Sequence, residues 1–188
     1  MPTYSFSEDS FLENEFPLPI HDPHFTPGPN REFISYEPLN AVFEVEKLDE
    51  QAQIVLRELQ NHGVTSVRCR YDGGGDEGFA HFETAFVGTT PKSVLETAQM
   101  LPALGEIAPE RNFGDSHVIF MRCYYSLDQF ESLTPQQRIQ FALDYLAYAL
   151  ASKLLGEGFG TGEYSMFGAF RADLTSGEIV DEPTEAPQ

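Results

Sequence analysis

The most chemically suggestive stretch of this sequence is a glycine-rich turn with three carboxylates, Asp72-Gly73-Gly74-Gly75-Asp76-Glu77-Gly78. Carboxylate oxygens at this density are ligands that Ca²⁺ and Mg²⁺ prefer. The turn lacks the alternating ligands and the terminal glutamate of an EF-hand loop, and no lysine or hydroxyl residue follows it as in a phosphate-binding loop. Aspartate also forms Asx turns, and glycine supplies the positive φ that hairpins need. The pattern therefore favours a hairpin turn, with a cation site as the alternative.

A metal-dependent hydrolase built on this turn is the alternative function. Asp72, Asp76 and Glu77 would hold the metal, whose identity the sequence leaves open, and His81 and Glu163 would join them if the fold brought them close. No serine lies in a nucleophile elbow. We therefore assign no catalytic residue and expect no cofactor.

Two other features have structural interpretations. The series Gly156, Gly158, Gly160 and Gly162 follows a helix instead of preceding one, so it predicts a helix C-cap and a flexible connection, not a dinucleotide loop. Cys69 alternates with core residues and Cys123 lies in an apolar run, which predicts two buried small apolar side chains and no nucleophile.

The net charge of −19 restricts the partners. Residues 1–40 hold seven acids and one base, and residues 173–188 hold five acids and no base. Such acidity disfavours binding to nucleic acid or to an anionic membrane surface, and it permits binding to a basic protein. No apolar run is long enough for a transmembrane helix and no secretory signal is visible, so we expect a cytoplasmic protein.

The first 40 residues form a segment of their own, an acidic arm with seven of the thirteen prolines. Proline density of this kind blocks helices and strand ladders. Aromatic residues spaced among the acids suit an extended segment that contacts a protein surface, and the predicted partner contacts are Phe6, Phe11, Phe16 and Phe25. Residues 41–182 are then a single domain, and residues 183–188 an acidic disordered tail.

Hydrophobic periodicity within 41–182 predicts an α+β fold. Val67, Cys69 and Tyr71 alternate with polar residues in the first strand. Ala80, Phe82, Thr84 and Phe86 alternate with Phe79, His81, Glu83 and Ala85 in the second. Arg68 and Arg70 can therefore face Glu83 across a hairpin. We expect a mostly antiparallel sheet of two hairpins and one central strand, with the first and last helices packed on one face. The predicted elements are helices 44–62, 91–101 and 135–155, hairpins 66–86 and 164–180, strand 117–125 and loop 102–115.

Two glycine-containing motifs give the chain a family resemblance. They are Tyr71-Asp72-Gly73-Gly74-Gly75-Asp76 in the first hairpin and Gly162-Glu163-Tyr164-Ser165-Met166-Phe167-Gly168-Ala169-Phe170 in the last. Residues 44–86 and 136–182 resemble a family of small uncharacterised bacterial proteins common on plasmids, phages and other mobile elements. The resemblance implies a helix, hairpin, helix, hairpin order and a mobile-element setting, and no particular chemistry.

Together these observations predict a small soluble acidic binding or accessory protein that contacts another protein. The prediction depends on the acidic aromatic arm and on the lack of a catalytic set with defined spacing.

Overall fold

The computed structural model describes residues 39–75, 77–111, 117–160 and 162–182, with the backbone alone for 74–75, 111 and 162–166. The predicted arm contacts Phe6, Phe11, Phe16 and Phe25 and the tail at 183–188 lie outside these ranges. The α-helices are α1 (Glu50–Asn61), α2 (Val94–Met100), α3 (Leu127–Glu131) and α4 (Pro135–Leu155).

Six antiparallel strands form the main sheet, in the order β1-β9-β8-β2-β3-β4. A second sheet has the order β5-β6-β7. The predicted α+β class and the mostly antiparallel sheet are thereby confirmed. The strands are β1 (Asn40–Val42), β2 (Val64–Gly75), β3 (Glu77–Val87), β4 (Thr90–Ser93), β5 (Glu110–Arg111), β6 (His117–Phe120), β7 (Cys123–Ser126), β8 (Gly162–Asp173) and β9 (Glu178–Glu182).

Helix α4 begins where the sequence predicts. The Thr134 and Gln137 side chains form a reciprocal capping box, and Pro135 occupies the first helical turn, where its missing N–H has no cost. The apolar side chains of α4 join those of α1 and the inward residues of the strands in one hydrophobic cluster.

Helix α1 is also capped at both ends. Asp49 accepts from Ala52 N–H at its start, and Gly63 follows the helix with a φ of 79°. The helix predicted at 44–62 is thus shortened, with a 3₁₀ turn at Val45–Lys47 before it.

Strand β2 keeps the predicted alternation, with Val67, Cys69 and Tyr71 buried. The alternation of β3 is interrupted at Glu83, because Arg68 pairs with Thr84 while Cys69 pairs with Phe82. This β-bulge adds one residue to β3 and reverses the faces beyond it. Ala85 is therefore buried, and the prediction that Thr84 and Phe86 share the face of Phe82 is wrong.

The predicted central strand 117–125 is also wrong. The chain turns back at Met121 and Arg122, so the run becomes the hairpin β6–β7 of the smaller sheet, and Cys123 is exposed instead of buried. The turn contains no glycine, asparagine or proline, so its residue types give no turn signal in the sequence.

The observed elements also differ from the predictions for helix 91–101 and loop 102–115. Pro91 lies in β4, and α2 begins after Ser93, which accepts from Glu96 N–H. The predicted loop 102–115 contains a 3₁₀ turn at Pro102–Glu106 and the short strand β5.

Candidate functional site

The outer face of the main sheet carries an aspartate between two exposed phenylalanines. Asp72 of β2 pairs directly with Phe79 of β3 on one side and with Phe167 of β8 on the other. Directly paired residues point to the same face of a sheet. Phe79 is 48% exposed and Phe167 55% exposed, so both rings face solvent beside the carboxylate. We call these three residues the Phe-Asp-Phe row.

Tyr71, the residue before Asp72, anchors this part of β2 to the inner face. Its ring stacks on Phe170 with centroids 6.4 Å apart, and its hydroxyl donates to Asp181 Oδ1 at 3.1 Å. The ring lies directly over Gly168, where a Cβ atom would collide with it. Because side chains alternate along a strand, the burial of Tyr71 turns Asp72 outward.

His81 lies next to this row, between two carboxylates. Its Nε2 is 3.8 Å from Asp72 Oδ1, and its Nδ1 is 3.9 Å from Asp144 Oδ2 of α4. The interaction with Asp144, with a smaller contribution from the charge of Asp72, raises the pKa of His81 above its ordinary value, and burial partly opposes this rise. The cluster places one titratable imidazole within reach of two acids from different elements.

Asp144 is the site residue that sequence reasoning missed. Its Oδ1 accepts from the backbone N–H of Phe82 at 2.8 Å and from Gln140 Nε2 at 3.1 Å. The available signal was local, because Asp144 is the only acidic residue of α4 and stands between Leu143 and Tyr145 of its apolar stripe. A carboxylate in such a position needs hydrogen-bond donors from a neighbouring element.

The centre of the same face carries a network of arginines and glutamates. Arg68 contacts both Glu83 and Glu182, Arg70 Nε is 3.4 Å from Glu83, and Arg171 Nε is 4.0 Å from Glu182. The predicted pairing of Arg68 and Arg70 with Glu83 is confirmed. These carboxylates offset the arginine charges, so the end of the face near Asp72 keeps its acidic character.

The predicted metal ligands are brought together only in part. Asp72 and His81 are neighbours, whereas Glu77 is exposed and pairs with Gly74 near the tip of the hairpin. Asp76 lies outside the described residues, and Glu163 belongs to β8 without a described side chain. Within the described ranges, no group of three His, Cys, Asp or Glu side chains is arranged to hold a metal ion.

The glycines of this hairpin serve close packing. A Cβ on Gly73 would lie 2.5 Å from Cα of Gly160, and one on Gly160 would lie 2.6 Å from Cα of Gly78. The backbone after α4 therefore rests directly on the hairpin, and Gly160, with a φ of 80°, also needs its positive φ. The expectation that positive φ accounts for the turn glycines is wrong for Gly73 and Gly78, whose φ values are not in that region.

No protein-family model, curated protein or solved structure matches this chain. The resemblance to the family of small bacterial proteins therefore stays a prediction. Across the described residues, none of the helices combines the length and the apolar character that crossing a membrane requires.

Proposed function

We propose that this chain is a small acidic protein-binding module that receives a basic segment of its partner on the Phe-Asp-Phe row. The observation that carries the proposal is the direct pairing of Asp72 with the exposed Phe79 and Phe167. A carboxylate between two aromatic rings is suited to a lysine or arginine side chain, because the carboxylate attracts the charge and the rings attract it through their π faces.

The dimensions of the sheet support this role. Neighbouring strands lie about 4.8 Å apart, so the Cα atoms of Phe79 and Phe167 are separated by roughly 10 Å across Asp72. A single lysine or arginine stem fits over such a span. Each exposed cation–π contact contributes about 0.5–1 kcal/mol, which suits a reversible interaction that gains affinity from several basic residues.

The charge of the whole chain supports the same class of partner. A net charge of −19 attracts basic segments over long range and repels phosphate backbones. Glu77 lies on the same side of β3 as Phe79, two residues away, and adds a second exposed carboxylate. A cytoplasmic protein from a mobile element, with further partner contacts from Phe6, Phe11, Phe16 and Phe25, is consistent with this role.

The proposal is tested by titrating the chain with a lysine- and arginine-rich peptide. Nuclear magnetic resonance of the backbone amides follows the titration. The shifts should centre on Asp72, Phe79 and Phe167. Asp72→Asn and Phe79→Ala should each weaken binding about three- to tenfold, in line with the loss of one charge-assisted or cation–π contact. A glutamate-rich peptide of equal length should not bind.

Matched controls separate the row from general acidity. Glu178→Gln removes an exposed carboxylate at the start of β9, the end of that strand farther from the Phe-Asp-Phe row. Tyr124→Ala removes an aromatic side chain of the smaller sheet that is 70% exposed. Both should leave binding unchanged. Equal weakening by Glu178→Gln and Asp72→Asn would show that net charge alone attracts the peptide and would overturn the proposal.

The metal-dependent hydrolase is a second proposal, favoured by the 3.8 Å approach of His81 Nε2 to Asp72 Oδ1. Asp76, Glu77 and Glu163 would complete its ligand set. Calorimetry with Mg²⁺, Mn²⁺ and Ca²⁺ tests it. Binding that both Asp72→Asn and Asp76→Asn abolish would support this function, and the lack of binding at millimolar metal would remove it.

A further inference from the structure

A cleft of about 390 Å³ lies away from the sheet face, where four segments of the chain meet. The segments are the chain just before α1, the second half of α4, the β6–β7 turn and the chain just after α4. Its lining includes Asp49, Arg122, Tyr145, Tyr148, Lys153 and Glu157. A concave site with polar groups from distant segments is the usual form of a small-molecule site.

The cleft concentrates positive charge in an acidic protein. It holds Lys47, Arg122 and Lys153, three of the eleven lysines and arginines of the chain. Lys47 Nζ is 2.6 Å from Glu44 and is thereby paired. Within the part of the chain that the structure describes, Arg122 and Lys153 form no salt bridge within 4 Å. Among the described residues, these two cations therefore have no carboxylate within ion-pair distance that would compete with a ligand.

The Asp49 carboxylate on the cleft wall is already engaged. It accepts from Ala52 N–H at 3.1 Å, and it also interacts with the Tyr145 hydroxyl. Burial, with a contribution from Asp49, raises the pKa of the Tyr145 hydroxyl, which therefore stays protonated beside the carboxylate. Because neutral donors do not remove its charge, Asp49 opposes a bound anion together with Glu157, against the charges of Lys47, Arg122 and Lys153.

The turn that presents Arg122 is strained. Met121 and Arg122 have φ values of 49° and 61°, in the left-handed region that hairpin turns of this length normally fill with asparagine and glycine. Met121 is buried, so its side chain fixes the turn in the core. The Arg122 guanidinium lies 5.8 Å from the centre of the Tyr145 ring. Strain of this kind collects at functional positions, where the surrounding structure imposes it.

We propose that this cleft binds a small phosphate monoester, with the phosphate between Arg122 and Lys153 and the organic part against Tyr148. Two cations match a phosphate dianion better than a carboxylate of single charge. The Tyr148 ring packs on Phe159 with centroids 5.4 Å apart, which holds it as a wall for a sugar or a base. This site is independent of the Phe-Asp-Phe row.

Calorimetric titration of the full chain with inorganic phosphate, ribose 5-phosphate and adenosine monophosphate tests the proposal at low ionic strength. We expect saturable binding of at least one organic monoester, tighter than that of inorganic phosphate. Arg122→Ala and Lys153→Ala should each weaken binding about tenfold, whereas Arg57→Ala, an exposed arginine of α1 outside the cleft, should change it less than twofold.

Arg122→Gly separates binding from stability. Glycine relieves the left-handed strain at this position, so the variant should melt at a higher temperature than the wild type and still lose affinity about tenfold. Saturable binding that Arg122→Gly and Lys153→Ala leave intact, or no binding of any of the three probes at about 10 mM, would overturn the proposal.

Discussion

The Oδ1 atom of Asp144 accepts a hydrogen bond of 2.8 Å from the backbone N–H of Phe82. In the described part of the chain, β4 pairs with β3 only over Thr84–Val87, so the earlier residues of β3 have no strand neighbour on that side. An unpaired strand edge is a site for association with other chains. Helix α4 therefore closes this edge with its single carboxylate.

Removing the acceptor at position 144 should destabilise the fold. Asp144→Leu leaves the Phe82 N–H without its acceptor beside an apolar side chain, and we expect a loss of about 1–3 kcal/mol in the free energy of unfolding. Asp144→Asn keeps an oxygen acceptor and should lose less than about 1 kcal/mol. Urea unfolding measures both, with Glu131→Gln on the exposed part of α3 as the control. Equal losses for leucine and asparagine would show that the hydrogen bond to Phe82 contributes nothing.

The position of His81 predicts a pH dependence of stability. Asp144, helped by the charge of Asp72, raises the pKa of His81 above its ordinary value of 6.5, so the folded chain binds the proton more tightly than the unfolded chain. The stabilisation is fully present below the ordinary pKa and is lost as the pH rises through the raised, folded-state pKa.

Urea unfolding at several pH values checks this dependence. The fall in stability from His81 should disappear in His81→Gln and should shrink in Asp144→Asn. A titration of the His81 ring by nuclear magnetic resonance provides the second measurement. A pKa at or below 6.5 would contradict the prediction.

Local rules were sufficient for the elements that position the candidate site. The Thr134 and Pro135 start signals and the apolar stripe predicted α4 with its observed bounds. Alternation in β2 correctly predicted the burial of Val67, Cys69 and Tyr71, and so the outward direction of Asp72. These features depend on neighbours a few residues apart, which a sequence displays directly.

The remaining features depend on contacts between distant segments. Asp144 and Phe82 are 62 residues apart, and no local pattern connects them. The bulge at Glu83 is defined by the register between β3 and β2, which the sequence of β3 alone does not contain. The Met121-Arg122 turn contradicts turn preferences, because a buried Met121 stabilises a conformation that its own residue type disfavours.

The two cysteines should differ in reactivity. Cys69 is fully buried between β3 and β8, and burial raises the pKa of its thiol, so the reactive thiolate is suppressed. Cys123 is exposed on β7. A thiol reagent added to the folded chain should therefore label Cys123 and leave Cys69 unlabelled until urea unfolds the protein. Mass spectrometry of the digested chain measures this, and comparable labelling of both residues under native conditions would contradict the burial of Cys69.

The contact between Gly160 and the first hairpin should tolerate no side chain. Both Gly160 and Gly88 have positive φ values, 80° and 61°, but a Cβ on Gly160 would lie 2.6 Å from Cα of Gly78, whereas one on Gly88 would meet nothing within 4 Å. Gly88→Ala should therefore cost about 1–2 kcal/mol from its backbone conformation alone. Gly160→Ala should cost a further 1–3 kcal/mol or so, because the hairpin backbone has to move.

Urea unfolding of the two variants measures the difference. The displaced backbone lies beside Phe79, so Gly160→Ala should also shift the amide resonances of Asp72 and Phe79, and Gly88→Ala should not. Equal losses of stability in the two variants, with no resonance shifts in the row, would show that the chain after α4 does not support the hairpin. The Phe-Asp-Phe row would then depend on the strand pairing of β2, β3 and β8 alone.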